Sequence, residues 1–394
     1  MLTSLAYIFL CGLLLGEIFK KLNLPNLMGM LITGIILGPY VSNLIDPSIL
    51  SISTDLRQLA LIIILTRAGL ALDISDIKKV GRPAFLMCFI PACFEILGMV
   101  LLAPMLLGVS LVEAAIIGSV VAAVSPAVVV PKMLHLMDNG YGTNKSIPQL
   151  IMAGAAVDDV FVIVVFTAFT GLAQGNDISF ISFTQIPISI ITGLILGIVI
   201  GLVLVSYFKK VHIRDSTKIV ILLSISFLLM SLEQNITHLI PFSGLLAIMS
   251  MGAAISKKYD ILSTRLSSKF SKLWVAAEVL LFVLVGATVD ISFATSSGLI
   301  AIIVIAGSLL FRMMGVFLCL LKTNLTLKER LFCMIAYCPK ATVQAAIGSL
   351  PLAMGLECGP IVLTVAVLSI LITAPLGALG IDITYQKFLH KNSV

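Results

Sequence analysis

Apolar segments of similar length, separated by short polar stretches, run along the whole chain. We count about thirteen of them, and each is near the ~20 residues that a helix needs to cross a bilayer. Their approximate limits are 2–19, 26–44, 56–72, 82–108, 111–133, 148–173, 183–208, 217–234, 238–256, 273–290, 296–321, 328–350 and 357–380. The pattern predicts an all-α polytopic membrane protein with about 13 transmembrane helices.

The composition agrees with this pattern and excludes several classes of function. Hydrophobic residues make up 59% of the 394 residues and charged residues 11%, whereas a soluble domain carries about 25% charged residues. The seven cysteines form no C-x-x-C pair, so we predict no disulfide, resident metal or cofactor. The chain shows no nucleotide loop or nucleophile constellation, which argues against an enzyme. Its net charge of +6 does not indicate nucleic-acid binding, because the basic residues lie in short loops.

The distribution of basic residues predicts an orientation in the membrane. Every second connecting segment, beginning after the first helix, together with the C-terminal tail, holds 21 of the 25 lysines and arginines. The positive-inside rule therefore places the N-terminus outside and the C-terminus in the cytoplasm. We expect the protein in the cell inner (plasma) membrane. The residues counted are Lys20, Lys21, Lys78, Lys79, Arg82, Lys132, Lys145, Lys209, Lys210, Arg214, Lys218, Lys257, Lys258, Arg265, Lys269, Lys272, Lys322, Lys328, Arg330, Lys387 and Lys391.

Two adjacent carboxylates, Asp158 and Asp159, stand inside an apolar segment that contains no other charge between Ile147 and Gly171. An ionised carboxylate at the centre of a bilayer costs at least ~2.5 kcal/mol, and such residues are functional by default. Neighbouring residues of a helix point about 100° apart, so one aspartate can meet an ion while the other meets a counter-charge. We predict that this pair holds a proton or a monovalent cation partway across the membrane.

A buried arginine, Arg312, is a third charge within an apolar segment. Arginine does not lose its proton in proteins, so Arg312 cannot carry the transported proton. Glu95 is its expected partner across the fold, with Asp158 nearby. The pair is consistent either with a structural ion pair between two helices or with a direct role in transport.

Two of the predicted spans contain helix-breaking prolines. Proline removes a helical hydrogen bond, and freed backbone at membrane depth is tolerated only inside protein or beside a water-filled cavity. We expect Ser125 to offer an oxygen ligand, and Lys340 and Gln344 to compensate carbonyl groups at the breaks. The breaks lie in the fifth and twelfth spans, and this odd offset of seven predicts inverted repeats. They contain Ser125 and Pro126 in one span, and Pro339, Lys340, Thr342 and Gln344 in the other.

Several long strings resemble the second branch of the monovalent cation:proton antiporters, and most of all its sodium/proton antiporters of the NapA and animal NHA type. The strings are LPNLMGMLITG (24–34), ILTRAGLALD (64–73), AAVSPAVVVPKML (122–134), LIMAGAAVDDV (150–160) and PKATVQAAIG (339–348). The resemblance runs from the second span to the last. It implies an NhaA-like fold with two crossed discontinuous helices and an elevator-like movement of a core domain.

The resemblance also implies roles for individual regions and residues. Asp159 would bind Na⁺ or Li⁺ in exchange for H⁺, with Asp158 in the adjoining polar network. The known bacterial members carry a lysine where this chain has Arg312, a difference that bears on whether exchange moves net charge. The implied assembly is a homodimer in the lipid bilayer. Its predicted parts are a core at 82–173 and 296–380, dimerisation and scaffold helices at 2–72 and 217–290, and a linker helix at 183–208.

Three other functions remain open from the residues alone. A K⁺/H⁺ antiporter would use the same carboxylates for another cation. A sodium-coupled symporter of an organic anion would need a roomier cavity with polar groups for its substrate. A gated channel or ion sensor would move or bind cations without protons. The compact acidic site favours a secondary antiporter that exchanges Na⁺ for H⁺.

Overall fold

The structure is a computed structural model of the whole chain. It describes residues 1–22, 24–71, 81–173, 180–236, 242–289 and 291–391. Lys78 and Lys79, which contribute to the charge pattern, lie outside these ranges.

The described residues form helices joined by short connections, as the apolar pattern predicts. Each of the thirteen predicted segments overlaps one or more helices, although the second is helical only from Asn26 to Leu37. Within the described ranges, nine helical stretches are long and apolar enough to span a membrane. The helices are α1 (Leu2–Lys21), α2 (Asn26–Leu37), α3 (Pro47–Ser51), α4 (Ser53–Ala71), α5 (Arg82–Met87), α6 (Ile90–Leu107), α7 (Leu111–Val121), α8 (Pro126–Asp138), α9 (Ile147–Ala173), α10 (Phe180–Lys210), α11 (Asp215–Ile236), α12 (Gly244–Lys258), α13 (Asp260–Ala287), α14 (Ile291–Cys319), α15 (Leu327–Ala336), α16 (Thr342–Ile347), α17 (Leu350–Ala353) and α18 (Gly359–Phe388).

The fifth predicted span is broken between α7 and α8. Helix α7 begins at a capping box formed by Ser110 and Glu113. Ser125 has an extended backbone (φ −87°, ψ 112°) because the ring of the following proline disfavours the helical conformation. Pro126 then opens α8, where its missing N–H leaves no hydrogen bond unmade. The sequence therefore dictates the place of this break.

The twelfth predicted span is broken between α15 and α16, and the two breaks touch. Helix α15 ends at Ala336, Pro339 follows, and α16 starts at Thr342. The Ser125 N–H donates a hydrogen bond of 2.8 Å to the carbonyl oxygen of Pro339. This bond joins the non-helical backbone of one break directly to that of the other, which is the arrangement expected of two crossed discontinuous helices.

The tenth predicted segment, 273–290, is too short, since α13 begins thirteen residues earlier, at Asp260. Leu262, Leu266 and Phe270 recur every fourth residue and are fully buried, so the basic stretch forms a helix with one apolar face. Arg265 and Lys272, which the sequence analysis placed in a loop, lie on the exposed face of this helix. The error arises because a hydropathy criterion for spans misses an amphipathic extension.

The chain divides into two compact units. The first comprises Met1–Thr54, Asp76–Gln174 and Leu281–Val394, and it contains both breaks. Within it α6 packs closely along α14, where a Cβ at Gly98 or Gly315 would overlap atoms of the opposite helix. The second unit comprises Asp55–Ser75 and Gly175–Leu280, and in it α10 packs along α12. The predicted division into core, scaffold and linker regions stays a prediction.

Candidate functional site

Five charged side chains from four parts of the first unit surround the touching breaks. Glu95 lies on α6, Asp158 and Asp159 on α9, and Arg312 on α14, while Lys340 belongs to the segment between α15 and α16. Glu95, Asp158, Arg312 and Lys340 are each at most 1% exposed. Such burial is unfavourable for unpaired charges, so their pairing decides whether the site is stable.

Arg312 forms ion pairs with both carboxylates that the sequence analysis considered as partners. Its Nη1 atom lies 2.9 Å from Glu95 Oε2, and its Nη2 atom lies 2.8 Å from Asp158 Oδ2. The same Asp158 oxygen accepts a hydrogen bond of 2.8 Å from the backbone N–H of Val124, next to the first break. One guanidinium thus connects α6, α9 and α14.

The same guanidinium also satisfies backbone carbonyl groups that the two breaks leave without helical partners. Its Nε donates a hydrogen bond of 2.7 Å to the carbonyl oxygen of Tyr337, just after α15. Its Nη1 donates to the carbonyl oxygen of Ala122, just after α7. The planar guanidinium carries five donors in a fixed fork, which allows it to bond four acceptors that diverge around it.

Lys340 has a different partner from the one predicted. We expected its ammonium to compensate carbonyl groups at a break, but its Nζ atom lies 2.6 Å from Glu95 Oε2. The reason is electrostatic, since a buried ammonium gains more from a carboxylate than from a neutral carbonyl. The backbone N–H of Lys340 is satisfied by the hydroxyl of Thr373 on α18, at 2.9 Å. Glu95 therefore receives two cationic groups at one oxygen.

Gln344 does donate hydrogen bonds to carbonyl groups at a break, as the sequence analysis expected. Its side chain is fully buried, and its Nε2 atom lies 3.0 to 3.3 Å from three carbonyl oxygens near the end of α7. Those carbonyls lose their helical partners where the chain leaves the helix. The three are those of Val120, Val121 and Ala123.

We predict that Gln344→Leu lowers the free energy of unfolding by about 1–3 kcal/mol, because buried carbonyls lose their donor. Reversible unfolding of the purified protein in mixed detergent micelles measures this change. Gln386→Leu, which replaces an exposed amide on α18, is the matched control and is expected to change stability by less than about 0.5 kcal/mol. Equal stability of the Gln344 variant and the original protein would contradict the prediction.

Asp159 differs from the other four charged residues in having no ion pair with any residue that the structure describes. Its side chain is half-buried, and its Oδ1 atom is buried without a hydrogen-bond partner. Among the described residues of the site, four further oxygens are also buried and unpartnered. They are Ser125 Oγ, Asp158 Oδ1, Thr342 Oγ1 and Gln344 Oε1.

Tyr337 is a residue of the site that the sequence analysis missed. Its ring lies against Arg312, with the guanidinium carbon 5.0 Å from the ring centroid, and its hydroxyl donates 3.0 Å to the carbonyl oxygen of Met87 on α5. A tyrosine two residues before the proline of a broken membrane helix needs a partner for its hydroxyl. The need to satisfy this hydroxyl could have marked Tyr337 as a buried residue near the break. It does not indicate that the ring packs against Arg312.

Comparisons with known proteins find relatives that match nearly the whole sequence. The family model described as "Sodium/hydrogen exchanger, transmembrane" matches residues 5–387. Sodium/hydrogen exchanger 9B2 of Homo sapiens is 32% identical over 410 residues, covering 99% of this chain and 75% of that protein. The Mus musculus protein of the same name is 31% identical over 411 residues, covering 99% and 74%.

The fold also resembles a solved structure. The sodium proton antiporter MjNhaP1 from Methanocaldococcus jannaschii superimposes with a TM-score of 0.86 at 20% sequence identity, covering 98% of each chain.

Proposed function

Because the chain belongs to the sodium/hydrogen exchanger family, we propose that it is a secondary active antiporter exchanging Na⁺ or Li⁺ for H⁺ by alternating access. The family membership confirms the resemblance drawn from the sequence strings. The names of the relatives and the chemistry of the buried site both support the proposal.

The observation that carries the proposal is the balance of charge at the site. Glu95 and Asp158 are matched by Arg312 and Lys340, and three ion pairs connect them. Asp159 is then a carboxylate in excess, and a negative charge at membrane depth requires a counter-ion. The chain supplies no cation to Asp159 among the described residues, so the counter-ion is a mobile one, either a proton or a metal ion.

Competition for Asp159 is sufficient to couple the two fluxes. A proton bound to the carboxylate excludes Na⁺, and Na⁺ bound there excludes the proton. Ser125 Oγ and the free Asp158 Oδ1 are oxygen ligands that suit a hard cation. Thr342 and Gln344 carry further unpartnered oxygens beside the second break. Exchange follows provided that the empty, ionised site crosses the membrane slowly.

The surrounding architecture is assigned in the same proposal. Regions 82–173 and 296–380 form the moving core, 2–72 and 217–290 form dimerisation and scaffold helices, and 183–208 is the linker helix. The protein is a homodimer in the cell membrane, with its N-terminus outside and its C-terminus in the cytoplasm. The alternation of basic segments supports this orientation.

Transport measurements in proteoliposomes test the proposal directly. We expect Na⁺ or Li⁺ added outside to drive protons out of the vesicles, reported by a trapped pH-sensitive dye, and protein-free liposomes to show no response. K⁺ in place of Na⁺ tests the K⁺/H⁺ alternative, and clamping the membrane voltage shows whether exchange moves net charge. Sodium uptake without proton movement, or only together with an organic anion, would overturn the proposal.

A further inference from the structure

A polar cavity that is largely open to solvent lies away from the buried aspartates, where α18 ends. It has a volume of about 540 Å³, which is within the ~300–1,000 Å³ typical of small-molecule sites. Three separate segments line it, namely the connection between α8 and α9, the start of α15, and the chain from Gln386 to Lys391. A cavity built from three segments is a candidate for a ligand that bridges them.

Specific contacts hold these segments in place around the cavity. The backbone N–H of Gly142 donates 2.9 Å to the carbonyl oxygen of His390, which ties the end of the chain to the α8–α9 connection. The rings of Tyr141 and Tyr385 pack edge to face with their centroids 4.9 Å apart. The ammonium of Lys391 lies 5.5 Å from the centroid of the Tyr141 ring. These contacts fix the walls of the cavity relative to one another.

The lining carries an excess of positive charge. Lys145, Lys387 and Lys391 contribute three ammonium groups, and Glu329 contributes a carboxylate. That carboxylate is already engaged, because Oε2 accepts from Lys145 at 2.8 Å and from the backbone N–H and hydroxyl of Thr326 at 2.6 and 2.9 Å. Lys387 and Lys391 have no carboxylate within ion-pair distance among the residues that the structure describes.

We propose that this cavity binds a phosphate-bearing anion through Lys387 and Lys391. Lysine ammonium groups bind phosphate as point charges. The amide of Gln386 and the partly buried side chain of Lys145 supply further donors in the lining. The phosphate belongs either to a lipid headgroup or to a soluble compound. Bound there, it fastens the end of α18 to the connection that leads into α9.

Binding to the purified full-length chain in a neutral detergent tests the proposal. Isothermal titration calorimetry measures the binding of three probes. They are inorganic phosphate, dioctanoyl phosphatidic acid and, as a zwitterionic lipid, dioctanoyl phosphatidylcholine. The double variant Lys387→Gln/Lys391→Gln is expected to weaken binding of the phosphate group at least about tenfold, since charge-assisted hydrogen bonds are lost. Lys257→Gln/Lys258→Gln removes the same charge from exposed lysines at the end of α12 and is expected to leave binding unchanged.

The outcomes separate the two sources of phosphate and can overturn the proposal. Binding of inorganic phosphate supports a soluble ligand, and binding of phosphatidic acid alone supports a lipid headgroup. The proposal fails if neither probe binds, if phosphatidylcholine binds as well as phosphatidic acid, or if the double variant binds like the original protein. It fails equally if the Lys257/Lys258 control loses as much affinity. The single Lys387 and Lys391 variants, expected to show intermediate losses, repeat the test if the double variant does not fold.

Discussion

Asp159→Asn is expected to reduce sodium-driven proton movement to the level of protein-free liposomes while leaving the fold intact. The amide has nearly the shape of the carboxylate, but it can neither release a proton nor neutralise a bound cation. Asp159 forms no ion pair with a described residue, so the substitution breaks no ion pair within this part of the chain. We expect the free energy of unfolding to change by less than about 1 kcal/mol. Proteoliposome transport and unfolding in mixed micelles measure the two effects on the same preparation.

Two comparisons make this result specific to Asp159. Asp158→Asn weakens the contacts to Arg312 and Val124, so it is expected to lower both transport and stability. Glu17→Gln replaces an exposed carboxylate of α1 and is expected to change neither. Normal exchange by the Asp159 variant would remove this residue from the transport site. Unfolding of the Asp159 variant alone would show that the carboxylate is structural.

Arg312→Met is expected to give the largest loss of stability among the substitutions considered. It removes the cation that faces Glu95 and Asp158 and the donor to the carbonyl groups of Ala122 and Tyr337. Breaking a buried ion pair by removing one partner costs about 3–5 kcal/mol, because the remaining charge is buried without compensation. Reversible unfolding in mixed micelles measures this loss, and exchange in liposomes is expected to disappear with it.

One variant separates the shape of the guanidinium from its charge, and two others are comparisons for the size of its effect. Arg312→Lys keeps the charge but cannot reach all four acceptors, so an intermediate loss is expected. Lys340→Met leaves Glu95 paired with Arg312, and its effect is expected to be smaller than that of Arg312→Met. Arg82→Met removes an exposed arginine with a single bond to a backbone carbonyl, and should cost less than about 0.5 kcal/mol. Equal losses for Arg312→Met and Arg82→Met would refute the role given to Arg312.

Local chemistry explains which features could be predicted from the sequence. Spans follow from length and hydropathy, and the breaks follow from Pro126 and Pro339, because proline acts on its own backbone. The importance of Asp158, Asp159 and Arg312 follows from the cost of charge in lipid. All of these properties belong to a residue and its immediate neighbours in the chain.

The features that could not be predicted from the sequence depend on contacts between distant segments of the chain. No local pattern indicates that Lys340 meets Glu95, 245 positions away, or that Arg312 bonds carbonyl groups at both breaks. The amphipathic start of α13 was missed for a different reason, since its apolar face is visible in the sequence but is diluted by charged neighbours. Hydropathy averages over a helix, whereas packing depends on one of its faces.

The bond between Ser125 and Pro339 limits how a bound ion can change sides. Pulling the two interrupted helices apart would break that bond, and Arg312 could no longer donate to the carbonyl groups of Ala122 and Tyr337 at the same time. Sliding one helix against the other would therefore cost these hydrogen bonds, each worth about 0.5–1.5 kcal/mol. We therefore expect the crossing point to move as one piece, with the barrier to the ion at its edge.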